Sequence, residues 1–232
     1  MTPVVPVLAV DGPSGSGKGT VCRLVAGRLG WHLLDSGALY RIVALGGRRN
    51  GLPTDDVEGH AVLARQLDVR FGSRPDGSEQ VLFGPHGEDI TAGIRTEEAG
   101  MGASRVAAWP QVREALLQRQ RDFARPPGLV ADGRDMGTVV FPGAGLKIFL
   151  TASAEERARR RHNQLKEKGY EGSLADLSRE IAERDARDAS RPVSPLKAAD
   201  DAIVVDSTPM GITAVVDHVL ALALSRGLAP RS

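Results

Sequence analysis

Gly12-Pro13-Ser14-Gly15-Ser16-Gly17-Lys18-Gly19-Thr20 brings glycines, a lysine and hydroxyls into one short stretch between an apolar run and a helical pattern. Residues without side chains let successive backbone N–H groups turn inward on a polyphosphate, and a helix N-terminus favours the same anion. Glycines at 12, 15 and 17 meet the first need, and Lys18 supplies a cation for the β- and γ-phosphates. The hydroxyl that usually follows the lysine and faces Mg²⁺ is displaced: Gly19 stands there, with Thr20 one place later. The alternative is a plain glycine-rich turn before a helix.

Such a loop leaves the class open among switch GTPases, motor or transport ATPases and small-molecule kinases. No Asn-Lys-x-Asp stretch is present, which argues against a guanine-reading switch. Asp132 ends an apolar run and is placed either to order a metal's water shell or to serve as a helix N-cap or strand-end turn. Arg41, in Asp35-Ser36-Gly37-Ala38-Leu39-Tyr40-Arg41, and Arg134, in Gly133-Arg134-Asp135-Met136-Gly137-Thr138, follow two strand ends. Ligands bind at such ends in open parallel sheets, so two arginines there suit one phosphate. If residues 183–191 are helical, Arg184, Asp188 and Arg191 share a stripe at i, i+4 and i+7. Arg157, Arg160 and Arg161 share a face in the same way. Each set reads either as a solvated, ion-paired face or as ligands, the second set as a lid closing on a transferred phosphoryl group.

The elements that must position these residues follow from hydrophobic pattern. Val4 to Val10, Leu33 to Leu34, Leu129 to Ala131, Leu146 to Leu150 and Ala202 to Val205 are continuous apolar runs, the mark of strands buried on both faces. Helical periods follow most of them, which predicts an α/β protein with a parallel central sheet. Lys18 to Leu29 is the best helix, with a stripe of Val21, Leu24, Val25 and Leu29 and a stop at Gly30. Helices are also expected over about 96–108 and 110–124, split at Trp109-Pro110. Leu67 to Phe71, Gln80 to Phe83 and Glu88 to Thr91 read as an antiparallel meander. The expected division is a core of 1–45, an inserted lobe of 46–94 and the rest of the core over 95–232, with a lid at about 155–170 and a frayed tail over 229–232.

Composition narrows the setting. Thirty Lys+Arg against 29 Asp+Glu in 232 residues leave a formal charge of +1, so no global basic field draws the chain to nucleic acid or anionic lipid. Cys22 is the only cysteine, which excludes an intrachain disulfide and a Cys-rich metal site. Neither the apolar N-terminal run nor the C-terminal one, broken by Asp217 and His218, reads as a signal peptide or membrane span. A soluble cytoplasmic protein is expected, and no long apolar stripe asks for a dimer, so a monomer is expected too.

These motifs together resemble the bacterial cytidylate kinases, a nucleoside monophosphate kinase group of P-loop kinases. The resemblance runs through Asp11 to Thr20, Leu33 to Arg41, Ile94-Arg95-Thr96, Val112 to Leu117, Ala131 to Pro142 and Glu183-Arg184-Asp185. The Gly19-Thr20 order is itself a habit of this group. The resemblance implies that Ser36, Ser104, Arg113 and Asp135 belong to the CMP site, with Ser104, Arg113 and Asp135 reading the cytosine. It implies that Arg41, Arg134 and Arg191 hold the acceptor phosphate, that Arg184 and Asp188 contact the sugar, and that 46–94 is the monophosphate-binding insert. A carboxylate facing the cytosine N4 amine and a guanidinium facing its acceptors are chemically complementary. The expected reaction is transfer of the γ-phosphoryl group of ATP, carried with Mg²⁺, to CMP or dCMP. Thr20 would face the metal directly or through water, and Asp132 through water. Two readings compete with it: a P-loop kinase for UMP, AMP or another small acceptor, and a nucleotide-responsive binding protein without turnover.

Overall fold

A computed structural model describes residues 5–74, 79–167 and 173–228. Along the chain the strands are β1 (Val7–Asp11), β2 (His32–Asp35), β3 (Val69–Ser73), β4 (Glu79–Phe83), β5 (Glu88–Asp89), β6 (Leu129–Gly133), β7 (Leu146–Thr151) and β8 (Ile203–Asp206). The helices are α1 (Lys18–Leu29), α2 (Ser36–Arg49), α3 (Val57–Arg65), α4 (Glu97–Val106), α5 (Pro110–Arg121), α6 (Ala154–Glu167), α7 (Leu174–Ala189) and α8 (Ile212–Ser225). Val4, residues 168–170 and 229–232, which the expectations for β1, the lid and the tail include, lie outside the described residues. Two compact units form, one of residues up to Asp35 and from Gln120 onward, the other of Ser36–Arg119.

The first unit holds the five-stranded sheet, in the order β2-β6-β1-β7-β8, with every pairing parallel. All five apolar runs are strands of this sheet, as their unbroken hydrophobicity required. Leu8, Val10, Val130, Ile148 and Leu150 are buried beside Val21 and Val25 of α1 and Val215 and Val219 of α8. Helix α1 has the expected bounds, because Gly30 takes the left-handed conformation (φ 65°) that closes a helix. Its buried face is different from the expected stripe: Val21 and Val25 are inside with Cys22 and Ala26, while Leu24 is 40% exposed. The face turned to the core is the one bearing Cys22 and Ala26, and Leu24 sits on the other side of Val21.

In the second unit α2 packs against α3 and α4. Pro110 opens α5 as expected, and Thr96 caps α4 by accepting from Ala99 N at 3.1 Å. The meander is present as β3-β4-β5, antiparallel throughout. Its third strand is shorter than expected because Thr91 leaves the ladder: Val81 N donates to the Thr91 hydroxyl at 2.8 Å instead of to a strand carbonyl. The 46–94 stretch lies inside this unit, which extends to Ser36–Arg119 because α2, before the meander, and α4, after it, pack on each other.

Candidate active site

The first unit builds its polar site where β1, β6 and β2 end side by side. Gly12 leaves β1 at φ 153°, and a β-carbon there would lie 2.0 Å from the Leu150 carbonyl oxygen of β7, so only glycine lets the loop start here. Gly15 and Gly17 are also left-handed, at 77° and 88°. Lys18 folds back over the loop and donates from Nζ to the Pro13 carbonyl at 3.1 Å. Burial lowers its pKa, and Arg134 adds to the effect while Asp132 opposes it.

Asp132 is buried at the end of β6. Burial raises its carboxyl pKa; Lys18 pulls it down and Asp35 pushes it up again. A β-carbon at position 19 would stand 3.3 Å from Asp132 Oδ2, a contact that a shift of that carboxylate by a few tenths of an ångström would relieve. Thr20 is partly buried on the next position of α1. Among the described residues no group of three or more His, Cys, Asp or Glu forms a metal cage. One hydroxyl and one carboxylate beside a polyphosphate loop fit a hard cation that keeps most of its ligands from water and phosphate.

Helix α6 supports the loop from outside. Arg157 is 6% exposed and donates to the Ser14 carbonyl at 3.0 Å, the Ala152 carbonyl at 3.0 Å and Asp185 Oδ2 of α7 at 2.6 Å. Arg160 donates to the Ser16 carbonyl at 3.1 Å, the Ser207 hydroxyl at 3.0 Å and the Ser207 carbonyl at 2.6 Å. Arg161 reaches Gln164 at 3.3 Å, and Arg159 turns away to Glu156. Of the three arginines expected on one lid face, two therefore hold loop backbone. A cavity of about 370 Å³ opens beside them, lined among others by Gly17, Thr20, Arg160, Arg161, Met210 and Ile212.

Beyond β6 lies a second cluster. Asp188 of α7 is buried and accepts from Arg134 Nε at 2.9 Å and from Arg191 Nη2. Burial alone would raise the Asp188 carboxyl, but Arg134 and Arg191 outweigh it and hold it below the ordinary range. Arg184 is half-buried one turn earlier on α7, so Arg184 and Asp188 share the predicted face. Arg191 is not on the helix, which ends at Ala189, because a residue before proline avoids the helical region and Pro192 follows it. Its guanidinium still returns to Asp188. Asp135 is buried at the start of a one-turn π-helical segment, Met136–Val140.

Four further expected site residues belong to the second unit. Ser36 is buried at the start of α2. Arg41 donates to the Ile94 carbonyl at 2.9 Å and the Thr96 carbonyl at 3.1 Å. Arg113 donates to the Ala107 carbonyl at 3.1 Å, with its guanidinium 5.6 Å from the Tyr40 ring centre. Ser104 is buried on α4, and its hydroxyl makes no hydrogen bond among the described residues.

Sequence reasoning missed Asp11, Asp185 and Ser207. Asp11 accepts from Met136 N at 2.7 Å and Gly137 N at 2.8 Å. The available signal was an acid closing a wholly apolar strand.

The sequence pattern of the cytidylate kinase family matches residues 8–225. The cytidylate kinase of Stutzerimonas stutzeri (strain A1501) is 59% identical over 225 residues, covering 97% of this chain and 98% of that one. That of Pseudomonas aeruginosa (strain UCBPP-PA14) is 60% identical over 220 residues, covering 95% and 96%. That of Aeromonas salmonicida (strain A449) is 56% identical over 223 residues, covering 96% of each.

Proposed function

The chain belongs to the cytidylate kinase family, and we propose from that premise how its own residues move the γ-phosphoryl group of ATP to CMP. It is a phosphotransferase that makes CDP and ADP. The observation that carries the assignment of roles is the Arg134–Asp188–Arg191 cluster, built in the same unit as the phosphate loop.

An acceptor phosphate oxygen is already anionic, so the transfer needs no general base. What it needs is alignment, neutralised charge and exclusion of water, the competing nucleophile. The amides of Ser14 to Thr20 and the Lys18 ammonium take the donor phosphates, and the base of ATP enters the cavity beside Gly17 and Arg160. Arg157 and Arg160 keep the loop in shape, and Arg161 faces the transferred group. Thr20 and Asp132 hold the Mg²⁺ that comes with ATP, which supplies further charge neutralisation. Arg134 and Arg191 keep one edge on Asp188 and turn their remaining N–H groups to the CMP phosphate, with Arg41 as a third cation. Arg184 and Asp188 meet the sugar. Ser36, Ser104, Arg113 and Asp135 are assigned to CMP on the family pattern, the last three to its base.

The finer reading is a cytoplasmic monomer of pyrimidine nucleotide metabolism, with 46–94 as the monophosphate-binding lobe. Among the described residues no helix is long and apolar enough to cross a membrane. If the sugar is held mainly through its 3′-hydroxyl, dCMP serves nearly as well as CMP. A carboxylate accepts but cannot donate, so Asp135 suits the cytosine N4 amine and repels O4 of uracil. The test is a coupled ADP-release assay with CMP, dCMP, UMP and AMP. CMP should exceed UMP in kcat/KM, and Asp135→Asn should narrow the gap by about 1 to 3 kcal/mol. No turnover with CMP overturns the function; an unchanged ratio in Asp135→Asn overturns the role of that residue alone.

A further inference from the structure

The segment Met136–Val140 opens with backbone amides that have no acceptor within their own turn. An aspartate in the position of Asp135 ordinarily takes such amides on its own carboxylate. Asp135 makes no capping bond. The carboxylate that takes the amides of Met136 and Gly137, at 2.7 and 2.8 Å, comes from Asp11 at the end of the neighbouring strand. Asp11 pairs in register with Gly133, just ahead of Arg134 and Asp135, and its own chain continues into Gly12 and the phosphate loop. The arrangement is tightly fitted: a β-carbon on Gly137 would stand 3.4 Å from Asp11 Oδ2 and 3.1 Å from Lys147 Cδ. Burial raises the Asp11 carboxyl pKa to about 6 in spite of the two amides, so the residue is kept at a cost in solvation.

We propose that Asp11 is a positioning residue for the acceptor: by capping Met136 and Gly137 it relieves Asp135 of that task and fixes how Arg134 and Asp135 face CMP. The inference rests on the functional reading above. Without Asp11, the two amides recruit the adjacent Asp135 carboxylate, and the group assigned to the cytosine amine is diverted. The phosphate loop keeps its own supports in Gly12, Gly15, Gly17, Arg157 and Arg160, so ATP should feel the change less.

The experiment compares wild type, Asp11→Asn and Asp11→Ala, alone and with Asp135→Asn. KM is measured for CMP and for ATP, and kcat/KM for CMP and UMP. Asp11→Asn keeps the shape but sets an amide donor against one of the two amides. It should raise KM for CMP about tenfold, the effect of one lost charge-assisted bond, while KM for ATP moves less than about threefold. Its CMP-to-UMP ratio should fall toward that of Asp135→Asn, and the double variant should lose no further discrimination. A merely structural role would lower thermal stability and leave both readouts in place. Wild-type KM for CMP in Asp11→Asn overturns the proposal, as does an equal rise in both KM values. If the wild-type enzyme does not prefer CMP over UMP, the base-reading role of Asp135 falls, and the split between the two KM values still decides on Asp11.

Discussion

The glycine loop and the arginine cluster beyond β6 are the two anion sites proposed for one unit, yet they are made of different material. The loop is a backbone device: three left-handed glycines, a lysine resting on Pro13, and two arginines that grip the carbonyls of Ser14 and Ser16. The cluster is a side-chain device in which one buried carboxylate holds two guanidiniums, one of them from 54 residues away. A backbone device is fixed by local conformation and tolerates little change at its glycines. A charge cluster depends on the balance of three ions, and removing the shared one should disturb both that remain.

Lys18→Ala breaks the donor side most deeply. Turnover at saturating ATP should fall about a thousandfold or more, since the charge on the transferred phosphoryl loses its nearest cation. Thermal stability should stay near wild type, because among the described residues the hydrogen bond lost is the one to Pro13. Near-normal turnover would leave Lys18 without its role.

Asp188→Ala makes the corresponding break on the acceptor side, and there the loss should appear in stability as well as in kinetics. Leaving Arg134 and Arg191 without their shared carboxylate should cost about 3 to 5 kcal/mol in denaturant unfolding and raise KM for CMP. Asp188→Asn should cost less, as it keeps shape and one acceptor. If Asp188→Ala unfolds like wild type, the cluster is not the ion balance described.

The smallest effect sharpens the comparison. Arg160 is only partly exposed and touches loop backbone, so Arg160→Ala should raise KM for ATP about tenfold and leave KM for CMP within about twofold. Equal changes in the two would erase the distinction between the sides.

The same contrast explains what could be read in advance. The five strands, α1 and the loop were legible because each is specified within a short stretch, by continuous apolar residues or by glycines at fixed places. The face of α1 was misread at Leu24, since the spacing of Val21, Leu24 and Val25 does not say on which side of Val21 the sheet lies. The residue types of the acceptor cluster were legible as a charge pattern, but Arg191 was placed on a helix that Pro192 forbids. The loop partners of Arg157 and Arg160 were not legible at all. They are carbonyl oxygens 143 and 144 residues away, and every residue type carries a carbonyl. Asp11 escaped for the same reason, its partners being amides more than a hundred residues distant.

The strand order has a consequence for how the chain is made. Central strand β1 has both its neighbours, β6 and β7, beyond residue 128, and β2 has β6 alone. Residues 36–119 form a unit without interruption. At about 5 to 20 residues per second of synthesis, β1 spends on the order of ten seconds with no strand to pair with, while the whole of 36–119 emerges and is able to fold. A released fragment ending near residue 125 should therefore protect amides in α2 and α4 from exchange and none in β1, and protection in β1 would contradict this order. The loop proposed to grip ATP is made before the 36–119 unit and is given its sheet only after it.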